Sequence, residues 1–169
     1  MLEVIKNRRS VREFSEKEIS DEVLSSLCEA GFMAPTARNQ GSAAFIIVKN
    51  KDVLNKLSEV SPGARVLKNC NRAIVIYCPS VSGLLTKGMV LEDLGAVAEN
   101  ILLEATSLGL GSCWIGIAPN EERMARAKEI LNLGEDEFVF NFIALGYPKE
   151  DTQLYFKESK IKPELIKFI

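Results

Sequence analysis

The order of the predicted elements favours an α/β fold with a parallel sheet. Stretches with helical hydrophobic periodicity alternate along the chain with about four short apolar runs of strand length. The chain has 169 residues, of which 47% are hydrophobic and 26% charged, and these values are typical of one soluble domain with its own core. Short apolar runs do not reveal strand direction, so the parallel arrangement rests on the alternation alone.

The first half of the chain predicts two helices and two strands. Ser20 is the expected N-cap of the first helix and Asn50 that of the second, because both side chains can accept hydrogen bonds from the first turn. Pro35 ends the first helix. The predicted elements are a helix over 21–33, a strand over 43–49, a helix over 51–60 and a strand over 73–78.

The second half predicts the longest helix and two further strands. The long helix is apolar on almost all sides, so we expect it to lie centrally in the fold. Gly109-Leu110-Gly111 follows it as a glycine C-cap does, and Asn120 is the expected N-cap of the next helix. The predicted elements are a helix over 92–108, a strand over 112–117, a helix from Asn120 to about 133 and a strand over 138–148.

The last residues, 149–169, form an apolar tail without a clear period of their own. Such a tail cannot bury its side chains locally, so it must pack on the body of the protein or on another subunit. No linker, repeat or low-complexity stretch interrupts the chain, and we expect a single domain over residues 1–169.

Charge and hydropathy exclude several classes of protein. The formal net charge of −2 argues against general nucleic-acid binding, which needs a broad basic surface. No apolar stretch approaches the ~18 residues of a transmembrane helix. Charged residues interrupt the N-terminal region, so we expect no signal peptide and no membrane partner.

The four cysteines and the absence of histidine limit the kinds of catalytic and metal sites that the chain can form. The cysteines have wide spacing without a CxxC pair, which favours buried structural thiols in a reducing cytoplasm over a metal site or disulfides. Without histidine, Ser-His-Asp and Cys-His hydrolases and HExxH metalloproteases are excluded. The remaining candidates are carboxylates, amines, the backbone or a cofactor. The cysteines are Cys28, Cys70, Cys78 and Cys113.

An arginine-rich segment, RRSVR at residues 8–12, precedes the first long apolar run. Guanidinium forks and a serine hydroxyl suit phosphate oxygens, because they form charge-assisted and often bidentate hydrogen bonds. Cations are also favourable at a helix C-terminus, so a solvated helix end explains the segment equally well. The residues alone leave both alternatives open.

Three other stretches have similar ambiguity. PTARNQ at residues 35–40 offers polar groups on a loop, and an ordinary turn has the same composition. GLGSCWIG at 109–116 leaves a helix and enters a strand, which is the reverse of a Rossmann turn. Gly116 could let a flat ring approach the backbone or could relieve crowding in a strand. The lysines at 157, 160 and 162 are typical of a solvated charge run.

Four motifs in order resemble the FMN-dependent nitroreductase family. They are RRSVREF, APTARNQ, the long helix with its GLGSCWIG exit, and FIALGYPKED. The resemblance covers essentially the whole chain and revises the fold to α+β. It implies an α-β-α sandwich, with a mixed, mainly antiparallel sheet flanked by helices. It also implies a homodimer that exchanges C-terminal extensions, which gives residues 149–169 a partner subunit to pack on.

The resemblance implies roles for residues on both sides of an FMN site. Arg8, Arg9 and Ser10 would hold the phosphate and ribityl chain, and Arg12 the pyrimidine edge of the flavin. Ile115 and Gly116 would bring backbone beside the ring, with an N–H near N5. The residues expected from the other subunit are Pro35, Thr36, Ala37 and Asn39.

The chain departs from the family pattern in the tail residues that would contact the phosphate. Relatives often place an arginine of the tail on the phosphate, whereas the basic residues of this tail are all lysines. Lys157 or Lys160 would take that contact, as a point charge rather than a fork. Between residues 61 and 72, Arg65 and Lys68 are further cations without a clear alignment to the flavin.

The implied activity is an NAD(P)H-dependent FMN oxidoreductase. NAD(P)H would reduce N5 of the flavin, and a nitroaromatic, quinone or similar acceptor would then be reduced in a ping-pong cycle. The flavin carries this chemistry, so no catalytic side chain and no metal is needed. The alternatives are a flavin-binding or sensing protein, a dehalogenase or flavin-consuming relative on the same fold, and a structural protein with an anion-binding patch.

Overall fold

The structure is a computed structural model that describes residues 1–150, 152 and 162–169. Its centre is a four-stranded sheet in the order β1-β2-β4-β3, in which every neighbouring pair is antiparallel. The strands are β1 (Ala44–Val48), β2 (Arg72–Cys78), β3 (Gly111–Gly116) and β4 (Phe138–Gly146).

The antiparallel pairing contradicts the parallel sheet that alternation of helices and strands predicts. The connection after β1 turns back, so that β2 begins beside the end of β1, with Ala73 opposite Val48. A helix in a connection therefore does not carry the chain across to a parallel neighbour in this fold. The α+β sandwich implied by the resemblance is the architecture observed, with one parallel bridge, between Ser10 and Ser112.

In the part of the chain that the structure describes, five α-helices surround the sheet. Three of their N-caps are those predicted: Ser20, Asn50 and Asn120 each accept a backbone hydrogen bond from the first turn of the helix that follows. The helices are α1 (Glu3–Asn7), α2 (Asp21–Phe32), α3 (Lys51–Leu57), α4 (Val90–Ser107) and α5 (Glu121–Leu131). Short 3-10 helices occupy Ala37–Asn39, Pro62–Lys68, Lys87–Met89 and Pro163–Leu165.

The sheet separates two hydrophobic cores. On one face, Val75 and Phe142 pack with Leu54 of α3 and Ala127 of α5. On the other face, buried residues of β2 and β4 pack against α2 and α4. The strands are apolar on both faces because each face is covered, which explains why their sequences lack alternation.

The long helix α4 is buried along the side that faces the sheet, whereas its nearly all-round apolar sequence predicts a central helix. Leu94 and Ile101 are fully buried in the second core. The opposite side is not covered: Leu91 is 40% exposed, and a Cβ added at Gly95 would meet no atom within 4 Å. Gly109, with φ of 72°, ends the helix in the left-handed region that the glycine C-cap predicts. Within the described residues no helix is both long and apolar enough to span a membrane.

Candidate functional site

The arginine-rich segment, residues 8–12, follows α1 and lies against the outer edge of β3. Ser10 forms a parallel bridge with Ser112, and the backbone N–H of Val11 donates to the carbonyl of Ser112 at 2.9 Å. Gly111 permits this approach, since a Cβ at that position would lie 2.8 Å from the Cβ of Val11. The RRSVR and GLG motifs therefore contact each other directly.

The guanidinium groups of this segment are held by groups around them. Arg8 Nε lies 3.4 Å from Oε1 of Glu99 on α4, and a third of the Arg8 side chain stays exposed. Arg9 Nη1 donates to the carbonyls of Lys6 and Arg8, both at 2.7 Å. These contacts fix two of the cations beside the sheet edge.

Arg12 lies further along the same edge. Its side chain is exposed, and Nη1 is 3.4 Å from the carbonyl of Ser10. Burial raises the pKa of the Cys113 thiol on β3, and the Arg12 guanidinium offsets part of that rise. Arg12 is thus close to the middle of β3, whereas Arg8 and Arg9 lie near its start.

The outer edge of β3 exposes backbone groups beyond this contact. Ser112 turns its carbonyl toward the arginine segment, so Trp114 and Gly116 turn their N–H and C=O groups to the same edge. The carbonyl of Gly116 accepts from Arg123 Nη1 at 3.4 Å. A Cβ added at Gly116 would meet no atom within 4 Å, so the space above this residue is open.

Ile115 contributes differently from Gly116. Its side chain is buried in the core on the α3 and α5 face, and it pairs with Phe142 of β4. Trp114, which is 37% exposed, packs edge-on against Phe140 with the ring centroids 5.6 Å apart. Of the predicted pair, Gly116 has its N–H and C=O groups at the outer edge of β3, whereas the side chain of Ile115 packs in the core.

The loop at residues 35–42, named here the 35–42 loop, is attached at the start of α4. Asp93 accepts hydrogen bonds from the Ala37 N–H at 2.7 Å and from the Gln40 amide at 2.7 Å. Arg38 and Asn39 both have φ of 53°, in the left-handed region that non-glycine residues rarely adopt. Asn39 and Pro35 are exposed, while Thr36 and Ala37 are half-buried.

The structure places the predicted residues in two groups. Arg8, Arg9, Ser10, Arg12 and Gly116 follow the edge of β3, whereas Pro35, Thr36, Ala37 and Asn39 belong to the loop. The two groups attach to different turns of α4, since Asp93 and Glu99 are six residues apart, about 9 Å along a helix axis and about 120° around it. Lys157 and Lys160 lie outside the described residues.

A cavity of about 560 Å³ lies near the start of β2, away from the arginine-rich segment. Several cations line it, and three of them, Lys49, Lys51 and Arg72, have partners. Lys51 donates to the carbonyls of Lys68 and Cys70 at 2.8 and 3.3 Å, and Arg72 pairs with Glu18. Arg65 and Lys68 are both exposed on the 3-10 helix Pro62–Lys68, which contacts α3.

Three residues of the site were not identified from the sequence: Asp93, Glu99 and Arg123. Glu99 and Arg123 resemble any surface charge, because their partners are distant in sequence. Asp93 did carry a signal, since it falls on the apolar side of α4 next to Leu94, where a charge needs buried partners.

The comparisons with known proteins decide the family. The model of the family described as "Putative TM nitroreductase" matches residues 1–167. The chain belongs to this nitroreductase family. Its nitroreductase-like fold is shared by solved structures with TM-scores up to 0.91.

Individual relatives match over nearly their whole length. A protein of Archaeoglobus fulgidus named "Putative NADH dehydrogenase/NAD(P)H nitroreductase" is 37% identical over 165 residues, which cover 98% of this chain and 95% of that protein. The crystal structure of a "Putative NADH Oxidase" from Clostridium acetobutylicum has a TM-score of 0.91 at 35% identity, with 97% of each chain covered. An "FMN-dependent Nitroreductase" from Clostridium difficile has a TM-score of 0.88 at 29% identity and covers 99% of this chain and 98% of its own.

Proposed function

We propose that this protein is an FMN-dependent oxidoreductase that uses NAD(P)H to reduce a small acceptor, such as a nitroaromatic compound or a quinone. The observation that carries the proposal is that the arginine-rich segment pairs with the edge of β3. The same strand has open space beside Gly116. The names of the relatives, which include NAD(P)H nitroreductases and NADPH-dependent oxidoreductases, support the same class of reaction.

The donor set along this edge fits FMN. Arg8, Arg9 and Ser10 supply two guanidinium groups and a hydroxyl for a phosphate. Ser112, which lies next to Ser10, and Gly116 are four positions apart on an extended strand, a distance of about 13 Å. A ligand with an anionic end and a flat ring at the other end suits an edge of that length. The open space at Gly116 is where a side chain would obstruct such a ring.

The residues of the chain orient the cofactor and adjust its electronics. FMN held at this edge would supply the redox chemistry, that is, hydride uptake from NAD(P)H and electron transfer to the acceptor. The N–H of Gly116 faces the edge where it can donate to the ring, and Arg12 supplies positive charge that favours the anionic reduced ring. Neither role requires a general base, in agreement with a chain that has no histidine.

A homodimer would complete the site. The predicted cofactor residues of the 35–42 loop attach to a different turn of α4 from the one that holds Arg8. A second copy can bring its own loop to the arginine-rich segment of the first. The exposed side of α4 around Leu91 and Gly95 supports such a contact, as does the C-terminal arm, whose Leu165 and Phe168 are 75% and 92% exposed.

Within this proposal, the chain is a single domain whose residues 149–169 pack on the partner subunit.

A cytoplasmic location agrees with the four cysteines, all of which are free thiols. Three of them are buried, and burial raises the pKa of the Cys70 thiol to about 11, which makes it a poor nucleophile.

Anaerobic spectroscopy of the FMN-loaded protein tests the proposal. We expect the yellow colour to bleach on addition of NADH or NADPH and to return when a nitroaromatic compound or quinone is added. Bleaching by neither nucleotide would overturn the reductase function and favour a flavin-binding protein without turnover. Failure to bind FMN at all would overturn the cofactor assignment.

A further inference from the structure

We propose that Asp93 is a positioning residue for the 35–42 loop and thereby sets the affinity for FMN without contacting it. The inference rests on the proposed function, because the loop carries the predicted cofactor residues Thr36, Ala37 and Asn39. Asp93 lies on the first turns of α4, more than fifty residues away in sequence.

Three donors of one loop converge on the carboxylate. Oδ1 of Asp93 accepts from the backbone N–H of Ala37 at 2.7 Å. Oδ2 accepts from the side-chain amide of Gln40 at 2.7 Å and from the hydroxyl of Ser42 at 2.9 Å. Asp93 is only 4% exposed and Ser42 fully buried, so water does not compete for these bonds.

Gln40 extends the network to a third segment. Its Oε1 accepts from both the backbone N–H and the hydroxyl of Thr86, each at 3.0 Å. Within the loop, the hydroxyl of Thr36 accepts from the N–H of Gly41 at 3.1 Å. The loop is therefore held from α4, from the segment before α4, and across its own base.

These bonds lie on both sides of the unusual part of the backbone. Arg38 and Asn39 have positive φ, and the Asp93 contacts at Ala37 and Gln40 come immediately before and after them. Two consecutive non-glycine residues keep a left-handed conformation only when their surroundings over-determine it. Asp93 supplies that constraint, and so it fixes the direction in which Asn39 points.

Only a carboxylate satisfies all three donors. An asparagine at position 93 would have the same shape, but its NH₂ group would face either the Ala37 N–H or the two side chains that bond Oδ2. Asp93→Asn thus leaves the packing intact and releases at least one bond to the loop. The variant separates the role of the bonds from that of the volume.

The chain provides a control in Asp136, which is exposed whereas Asp93 is buried. Its carboxylate also accepts three hydrogen bonds from a loop, namely from the Ser80 hydroxyl at 2.6 Å and from the N–H and hydroxyl of Ser82 at 2.9 and 2.6 Å. That loop carries none of the predicted cofactor residues. Asp136→Asn removes a similar set of bonds without touching the 35–42 loop.

The experiment measures FMN dissociation constants by flavin fluorescence on the full-length apoprotein. Hydrogen exchange of the same apoprotein is followed in parallel. Asp93→Asn should raise the dissociation constant about tenfold or more and accelerate exchange of the peptide covering the 35–42 loop, while Asp136→Asn does neither. Ser42→Ala, which removes one donor only, is the milder variant if Asp93→Asn does not fold, and should raise the constant about threefold.

Each outcome has one meaning. A folded Asp93→Asn or Ser42→Ala protein that binds FMN like the wild type would overturn the inference and leave the proposed function intact. An equal loss of affinity in Asp136→Asn would also overturn it, because general destabilisation would then explain the effect. Wild-type protein that binds no FMN would overturn the proposed function itself, and the inference with it.

Discussion

The two glycines at the ends of β3 have opposite surroundings, although the sequence presents them as one motif. A Cβ at Gly111 would lie 2.8 Å from Cβ and Cγ1 of Val11, whereas a Cβ at Gly116 would lie in open space. Gly111 is thus a packing requirement for the arginine-rich segment. Gly116 has no such requirement within the described part of the chain, which is consistent with space kept for a ligand.

Alanine at each glycine should therefore affect different properties. We expect Gly116→Ala to change the free energy of unfolding of the apoprotein by less than about 0.5 kcal/mol, because its methyl group meets nothing. The same variant should bind FMN about tenfold or more weakly, since the methyl group occupies the space of the ring. Gly111→Ala should lose about 1–3 kcal/mol of stability through overpacking against Val11.

Urea unfolding of the apoproteins and FMN fluorescence titration measure the two effects. Wild-type FMN affinity in Gly116→Ala would show that the ring does not lie there. A Gly111→Ala protein as stable as the wild type would show that the contact with Val11 is less tight than the structure indicates.

At the scale of elements, the first residues of α2, α3 and α5 were predictable because capping is local. Ser20, Asn50 and Asn120 begin their helices as their side chains indicate. The direction of the strands was not predictable, since it depends on where a connection returns to the sheet. The antiparallel return after β1 has no signal in residues 49–71 that periodicity can detect.

The same limit applies to the candidate site. The resemblance identified Arg8 and Gly116, but it gave no partner for either. The pairing of Arg8 with Glu99, and that of the Gly116 carbonyl with Arg123, depend on tertiary contacts between distant segments. Local patterns carry no information on such contacts.

Helix α3 offers a test of how independent the two faces of the sheet are. The Asn50 side chain accepts from the N–H groups of Asp52 and Val53 at 2.8 and 3.1 Å, and α3 packs on the face away from α4. Asn50→Ala should lower the free energy of unfolding by about 1 kcal/mol, because the cap is lost. FMN affinity should stay at the wild-type value.

The matched control is Asn55→Ala, at an exposed position in the same helix. Urea unfolding should show no loss for this variant. If Asn50→Ala weakened FMN binding as much as it lowers stability, α3 would belong to the support of the site, and the separation of the two faces would be wrong.

At the scale of the whole molecule, the C-terminal arm exposes large apolar side chains that a monomer would leave in water. Ile166, Phe168 and Ile169 are exposed in the described C-terminal segment, at a cost that a partner subunit would relieve. The uncovered side of α4 points to the same need. Both features agree with the apolar tail recognised in the sequence.

Removal of residues 162–169 should weaken the dimer. We expect sedimentation velocity to show a dimer for the full chain and a shift toward monomer for the truncated chain, with a parallel loss of FMN affinity. A full-length protein that is monomeric while it binds FMN would contradict the composite site.

The central claim is that the arginine-rich segment binds the phosphate of FMN at the edge of β3. The most direct measurement is the FMN dissociation constant of Arg8→Ala, compared with that of Arg126→Ala. Arg126 pairs with Glu129 on α5 and so controls for the loss of a partly exposed guanidinium. The apoprotein of Arg8→Ala should remain nearly as stable as the wild type, because the ion pair with Glu99 is partly exposed.

The expected result is a rise of about 10- to 100-fold in the dissociation constant for Arg8→Ala, the range that the loss of charged hydrogen bonds to a phosphate implies. Arg126→Ala should bind FMN as the wild type does. An Arg8→Ala protein that retains wild-type affinity for FMN would contradict the account.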